Sequence, residues 1–219
     1  MIGSLCVVFD IDDTLYLETS YVASGFLAVD EHLRAQGITG FLGEANQAFR
    51  AGARGDVFNR ALAALSIDDV ARLVPEMVLV YREHAPAIEL LADAAAALDR
   101  YSDRSHIAVV SDGPLASQRA KASSLGLMRW ASPIVLTAAY GEGYDKPHPR
   151  GFEEVTAAHG ASRYAYVADN PGKDFLAPAR LGWTTVRVRR VGALHAAVPS
   201  GADIQHEVTN LDLLEDVLT

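Results

Sequence analysis

Two aspartates set two residues apart, Asp10 and Asp12, follow directly on the apolar run Leu5–Phe9. Three more polar clusters follow apolar runs further along: Ser111-Asp112-Gly113, Asp145-Lys146-Pro147 and Asp169-Asn170-Pro171-Gly172-Lys173-Asp174. Carboxylate oxygens can hold a hard divalent cation, attack an electrophile or carry a proton. A hydroxyl, backbone amides and a lysine suit an anion. No Cys or His pair stands beside these residues, so the oxygen-only set speaks against zinc.

The elements that must position these clusters read as a parallel sheet covered by helices, because short apolar runs alternate with helical text. Strands are expected at Leu5–Phe9, His106–Val110, Pro133–Thr137, Tyr164–Ala168 and Thr184–Val188, and helices at Pro114–Leu125, Pro149–His159 and Lys173–Leu181. Gly126 and Gly182 each follow a helix, as C-terminal stops do. Open parallel sheets bind ligands beyond the carboxyl ends of their strands, and every cluster above follows a strand there.

One interval breaks the alternation. From Leu17 to about Arg100 there is amphipathic helical text only, broken near Gly37–Gly43, Gly52–Gly55 and Ser66–Asp69. The fold expected is therefore α/β: a Rossmann-like parallel sheet with helices on both faces, plus a small helical domain inserted after the first strand. The core would comprise residues 1–16 and 86–219 and the insertion residues 17–85, hinged near Leu15–Thr19 and His84–Ile88. The Ala-rich run Leu90–Leu98 reads as a core helix returning to the second strand.

The chain has 219 residues, half of them apolar and 21% charged, with a net charge of −9. That balance is ordinary for a globular enzyme and argues against nucleic acid or an anionic membrane as partner. Cys6, the sole cysteine, excludes an internal disulfide and reads as a buried structural thiol. Its apolar run meets Asp10 too soon for a signal peptide or a membrane span, so a cytoplasmic location is expected.

Taken in order, the four clusters from Asp10 to Asp174 resemble the motifs of the haloacid dehalogenase superfamily, in its phosphatase members with a helical cap (C1 type) after the first motif. The resemblance implies a magnesium-dependent phosphoric monoester hydrolase acting on a small phosphorylated metabolite through an aspartyl-phosphate. Asp10 would be the nucleophile and Asp12 the general acid/base. Magnesium would be held by Asp10, the Asp12 backbone carbonyl and Asp169. Dehalogenases of the superfamily lack the acid at the position of Asp12, because halide departs without a proton. Ser111, with the backbone N–H groups of Asp112 and Gly113, would cradle the phosphoryl group; Ser111 would equally suit a helix N-cap. Lys146 would neutralise the nucleophile and phosphoryl charge, and Asp174 would orient a metal-bound water or Lys146 from behind. Asp13 suits a solvated or capping role, His148 a surface or supporting one, and Lys173 an exposed helix position with no role.

Caps in this resemblance supply substrate contacts. Arg50, Arg54 and Asn59 flank a glycine break where Arg54 could grip an anion, although a solvated interhelical turn explains it equally well. Asp30, Glu31 and Arg34 read as an exposed helix face, and Trp130 and Trp183 as packing in or beside the core. Two other functions compete: a phosphomutase of the same superfamily, and a non-catalytic receiver-like phosphate-binding module. A receiver would be shorter and would have no use for a long helical insertion.

Overall fold

The computed structural model describes residues 4–218. Six strands form one parallel sheet: β1 (Leu5–Phe9), β2 (His106–Ser111), β3 (Ile134–Leu136), β4 (Arg163–Ala168), β5 (Thr184–Val188) and β6 (His206–Val208). Their spatial order is β3-β2-β1-β4-β5-β6, so β1 lies inside the sheet with β2 and β4 on either side. The chain reverses direction across the sheet at β1, which is where an open parallel sheet leaves a crevice for ligands. β1 and β4 are buried along most of their length, as strands covered on both faces must be.

Helices α5 (Ala92–Ser102), α6 (Leu115–Ser124), α7 (Arg150–His159) and α8 (Leu176–Arg180) make the connections of the sheet. One packed core joins Val8, Val110, Phe152, Tyr166, Phe175 and Trp183. Helix α7 comes so close that a Cβ on Gly151 would stand 3.1 Å from Val110 Cγ1. Trp183 stacks on Tyr164 and packs edge-on to Phe152, while Trp130 is half-buried and donates its indole N–H to Asp99.

The interval after β1 is helical: α1 (Glu18–Arg34), α2 (Phe41–Arg50), α3 (Val57–Ala64) and α4 (Val70–Glu83). By its internal packing the chain divides into two compact units, one of them Ser20–Ala87, the other the rest of the described residues. The helical unit has its own core, in which Phe26 meets Phe41, Phe49, Phe58 and Tyr81 edge-on or tilted.

Several expectations need correction. Asp30 is buried, not part of an exposed face: it accepts the Leu42 N–H at 3.0 Å and pairs with Arg34 at 2.6 Å. A helix start has spare N–H donors, and this carboxylate satisfies one of them across the inter-helix turn. The expected helix at Lys173–Leu181 begins only at Leu176. Before it the chain turns, with the Asp174 carboxylate accepting the Asn170 N–H at 2.9 Å. Strand β6 was not foreseen; it is a three-residue edge strand, His-Glu-Val, in which Val208 alone is fully buried. No helix among the described residues is long and apolar enough to cross a membrane.

Candidate active site

The carboxyl ends of β1, β2 and β4 and the loop after β3 deliver the clusters to one place. Asp10 follows β1 at once, its N–H bonded to the Val167 carbonyl of β4 at 2.9 Å. Lys146, completely buried, stands 3.0 Å from Asp10 and 2.8 Å from Asp174, and donates to the Tyr166 hydroxyl at 2.9 Å. Tyr166 in turn donates to the Val110 carbonyl, so a strand side chain supports the lysine from below. Burial alone would lower the Lys146 ammonium, yet Asp10 and Asp174 override it and hold it well above its ordinary range.

Carboxylate oxygens of Asp10, Asp169 and Asp174 lie within 4.8 Å of one another. Asp174 is already engaged on both sides, by Lys146 and by the Asn170 N–H. The Oδ1 of Asp174 has that ion pair in place of a hydrogen bond, whereas Asp169 Oδ2 is buried with no hydrogen-bond partner. Burial first, then the nearby Asp10 and Asp174 charges, push the Asp169 carboxyl up to about 9; burial, with Asp174 adding to it, raises the Asp10 carboxyl to about 6 despite Lys146. Here Lys121, Lys146 and Lys173 are set against Asp10, Asp12, Asp112, Asp169 and Asp174, so the acids outnumber the ammonium groups. Orphaned carboxylate oxygen with surplus negative charge is the environment a hard divalent cation satisfies. Asp10 and Asp169 fit that role, with Asp174 better employed on the lysine.

Asp12 turns to the other neighbour of β1. Lys121 Nζ of α6 holds both its oxygens, at 2.7 and 2.9 Å, Gln118 donates to Oδ2 at 3.0 Å, and the Tyr16 hydroxyl donates to Oδ1. Burial would raise the Asp12 carboxyl, but Lys121 and these hydrogen bonds hold it below the usual carboxylate range. Gln118 also donates to the Asp112 carbonyl at 2.6 Å and accepts from Ser111 Oγ at 3.4 Å. Gly113, with φ of 129°, makes room for it: a Cβ there would meet Gln118 Nε2 at 2.7 Å. Ser111 does not cap α6, whose N-cap is Pro114 without a side-chain bond.

The side chain of Asp112 organises the loops. It accepts from Thr137 Oγ1 at 2.8 Å, the Lys146 N–H at 3.1 Å and Lys173 Nζ at 2.9 Å. Lys173 is thus no idle surface residue: it lies on the turn before α8 and pairs with a buried carboxylate. Asp13 is buried and acts as a cap, accepting the Glu18 N–H at the start of α1 and the Leu194 N–H. His148 is half-buried and accepts the Arg150 N–H.

Two arginines tie a later segment to these loops. Arg187 of β5, completely buried, donates to the Asp169 carbonyl and to the carbonyls of His195 and Val198. Arg190 donates twice to the Thr14 carbonyl and pairs with Asp93 at 2.7 Å. In the helical unit, Arg54 is exposed, but its guanidinium donates to the Phe49 and Ala53 carbonyls and lies over the Phe49 ring, a local closure of α2. Arg50 and Asn59 are exposed.

The acidic cluster and its lysine sit on loops at the carboxyl end of an open parallel sheet, where such sheets bind ligands. The chain belongs to the haloacid dehalogenase-like hydrolases, whose family model matches residues 5–182. Among solved structures it is similar to the HAD-hydrolase YfnB of Bacillus subtilis bound to magnesium, at 18% identity and TM-score 0.69, over 99% of both chains. The 2-haloacid dehalogenase of Pseudomonas syringae pv. Tomato DC3000 gives 18% identity and 0.65 over 98% of both chains. A HAD phosphatase of Thermococcus onnurineus gives 21% and 0.62 over 97% of both. At such identities these likenesses speak for the fold. No curated relative matches the sequence.

Proposed function

We propose that this hydrolase is a magnesium-dependent phosphatase that cleaves a small phosphorylated metabolite through an aspartyl-phosphate on Asp10. The observation that carries the reading is the oxygen cluster of Asp10 and Asp169 with Lys146 Nζ 3.0 Å from Asp10. Asp12 adds support against haloacid dehalogenation, which expels halide and needs no proton donor.

In the first step an Asp10 oxygen attacks phosphorus, the bond to the leaving oxygen breaks, and Asp12, which must first take up a proton from solvent against the pull of Lys121, gives that oxygen the proton. In the second, the Asp12 carboxylate takes a proton from water. The water oxygen then bonds to phosphorus, and the acyl-phosphate P–O bond breaks to release phosphate and the Asp10 carboxylate. Lys146 holds Asp10 and balances negative charge through both steps. Ser111 and the N–H groups of Asp112 and Gly113 would bind phosphoryl oxygens. Magnesium, held by Asp10, Asp169 and the Asp12 carbonyl, would offset the repulsion between carboxylate and phosphate dianion. The helical insertion would serve as the cap, supplying substrate contacts; Arg54 as one of them would first have to leave the Phe49 and Ala53 carbonyls.

The purified protein should hydrolyse 4-nitrophenyl phosphate with magnesium and lose that activity to a chelator. Release of halide from 2-chloropropionate, with no phosphate released from any ester in a metabolite panel, would reject the proposal. Isomerisation of a sugar phosphate without free phosphate would favour a mutase.

Magnesium should also stabilise the protein in a pH-dependent way. The Asp169 carboxyl is raised in the folded state from an ordinary value near 3.8 to about 9. The stability its protonated form contributes is therefore complete below pH ~4 and lost as pH rises through about 9. Magnesium needs the ionised form. The rise in melting temperature on adding millimolar magnesium to chelator-treated protein should grow from pH 6 to pH 9. A magnesium effect that is flat with pH, or nil, would contradict the assigned cation site.

A further inference from the structure

Helix α6 buries an unexpected face: Ser117, Gln118 and Lys121 turn inward with Ala122. A lysine side chain that is 5% exposed is rare, and a buried ion pair gives little stability over an apolar pair of the same volume. Stability is thus a poor account of why Lys121 is there. What Lys121 and Gln118 do share is Asp12. A carboxylate on a loop can rotate freely about two bonds; here Lys121 takes both oxygens, Gln118 takes Oδ2 and Tyr16 takes Oδ1.

We infer that Lys121 and Gln118 are positioning residues that aim the Asp12 carboxylate for proton transfer. The inference deepens the phosphatase reading and rests on it. When Asp12 gives its proton to the leaving oxygen it becomes an anion, and Lys121 is already in place to meet that charge. When the carboxylate next draws a proton from water, the same three donors keep it from swinging away. Gln118 adds a link to the phosphate-binding loop. Its Nε2 bridges Asp12 and the Asp112 carbonyl while its Oε1 accepts from Ser111, so the proton carrier and the phosphoryl cradle are held in one register. Lys121 pairs with both Asp12 oxygens and Gln118 donates to one of them, so both act on the proton carrier directly.

Such a role separates substrates by leaving group. An alkoxide must be protonated as it departs, whereas 4-nitrophenolate leaves well without help. Lys121→Met should lower kcat/KM, which reports the leaving-group step and not hydrolysis of the phosphoenzyme, roughly 10- to 100-fold on an alkyl phosphate and less than about 10-fold on 4-nitrophenyl phosphate, with Lys121→Arg recovering part of the loss. Gln118→Leu should show the same pattern more weakly. In an Asp12→Asn background, adding Lys121→Met should cost less than about twofold, since residues acting through one group are not additive. Equal losses on both esters, or full additivity with Asp12→Asn, would overturn the inference.

Crystal structures decide it independently of turnover. In Lys121→Met the Asp12 carboxylate should rotate out of its present position while Asp10 and Asp169 stay. If Asp12 does not move, Lys121 positions nothing. Should Lys121→Met not fold, Lys121→Gln and Gln118→Leu carry the same comparison. A wild-type protein that hydrolyses no phosphate ester would remove the phosphatase reading, and the crystallographic comparison would still tell whether the α6 pair aims Asp12.

Discussion

Asp10→Asn should reduce phosphate release by about 10⁴-fold or more while leaving the protein folded and no less stable. The first half follows from chemistry: an amide oxygen at this position cannot form the acyl phosphate, and loss of a nucleophile removes the step rather than weakening it. The second half follows from the geometry around it. Asp10 is buried, and burial together with the Asp174 charge makes its ionised form costly, raising its carboxyl to about 6 even with Lys146 beside it. Removing that charge leaves Lys146 its other partner, Asp174, at 2.8 Å. The variant should melt at or above the wild-type temperature in chelator, as expected where a site is kept strained for activity. Rapid-quench trapping should find no phosphoenzyme. Wild-type turnover in Asp10→Asn would reject the nucleophile, and a sharply lower melting temperature would reject the electrostatic account.

Lys146→Met tests the opposite side of the same balance and should be the most destabilising single change at the site. The lysine side chain is fully enclosed and stands between Asp10 and Asp174. Replacing it with an apolar chain of similar length leaves two buried carboxylates facing one another, with the Tyr166 hydroxyl short of a partner. Breaking a buried pair from one side costs about 3–5 kcal/mol. The sign of its pH dependence is fixed as well. Without the cation, the Asp10 carboxyl, already raised by burial and the Asp174 charge, loses the neighbour that lowers it and is easier still to protonate when folded than when unfolded. The variant should therefore be nearest to wild type around pH 5 and fall behind as pH rises toward 8. Urea unfolding in chelator at the two pH values reads this directly. A difference under about 1 kcal/mol at pH 8 would mean that the lysine does not hold the two acids together.

The sheet was readable where side chains repeat one message. Leu5–Phe9 is an apolar run and Thr184–Val188 is β-branched at every position but Arg187, and the structure puts β1 and β5 there. The helical text after β1 was equally plain: the breaks at Gly52–Gly55 and Ser66–Asp69 fall between helices, and the one at Gly37–Gly43 spans the turn into α2, which starts at Phe41. What escaped had a shared physical cause: polar residues default to solvent when a sequence is read alone. Gln118 and Lys121, three residues apart on α6, look like an outer helix face, and only the Asp12 carboxylate opposite makes them an inner one. Asp30 and Lys173 misled in the same way. Arg187 sits in the middle of β5, where a charged residue ordinarily marks an exposed face. Tyr166 passed as one more apolar strand residue although its hydroxyl carries Lys146. The loop residues Asp10, Asp169 and Lys146 were legible because they stand directly after strand-like or proline-bounded text.

Homology and chemistry draw the working part of this chain differently. The family model's match ends at residue 182, although the likeness in fold to solved structures runs on over nearly the whole chain. The carbonyls of Thr14 and Asp169, on the first and last loops of the site, are tied down by Arg190 and Arg187, and Asp13 and Asn170 by Leu194 and His195. An engineer who borrowed the stretch up to 182 as a transplantable catalytic cassette would inherit the acids and forfeit the buckle that keeps them in place.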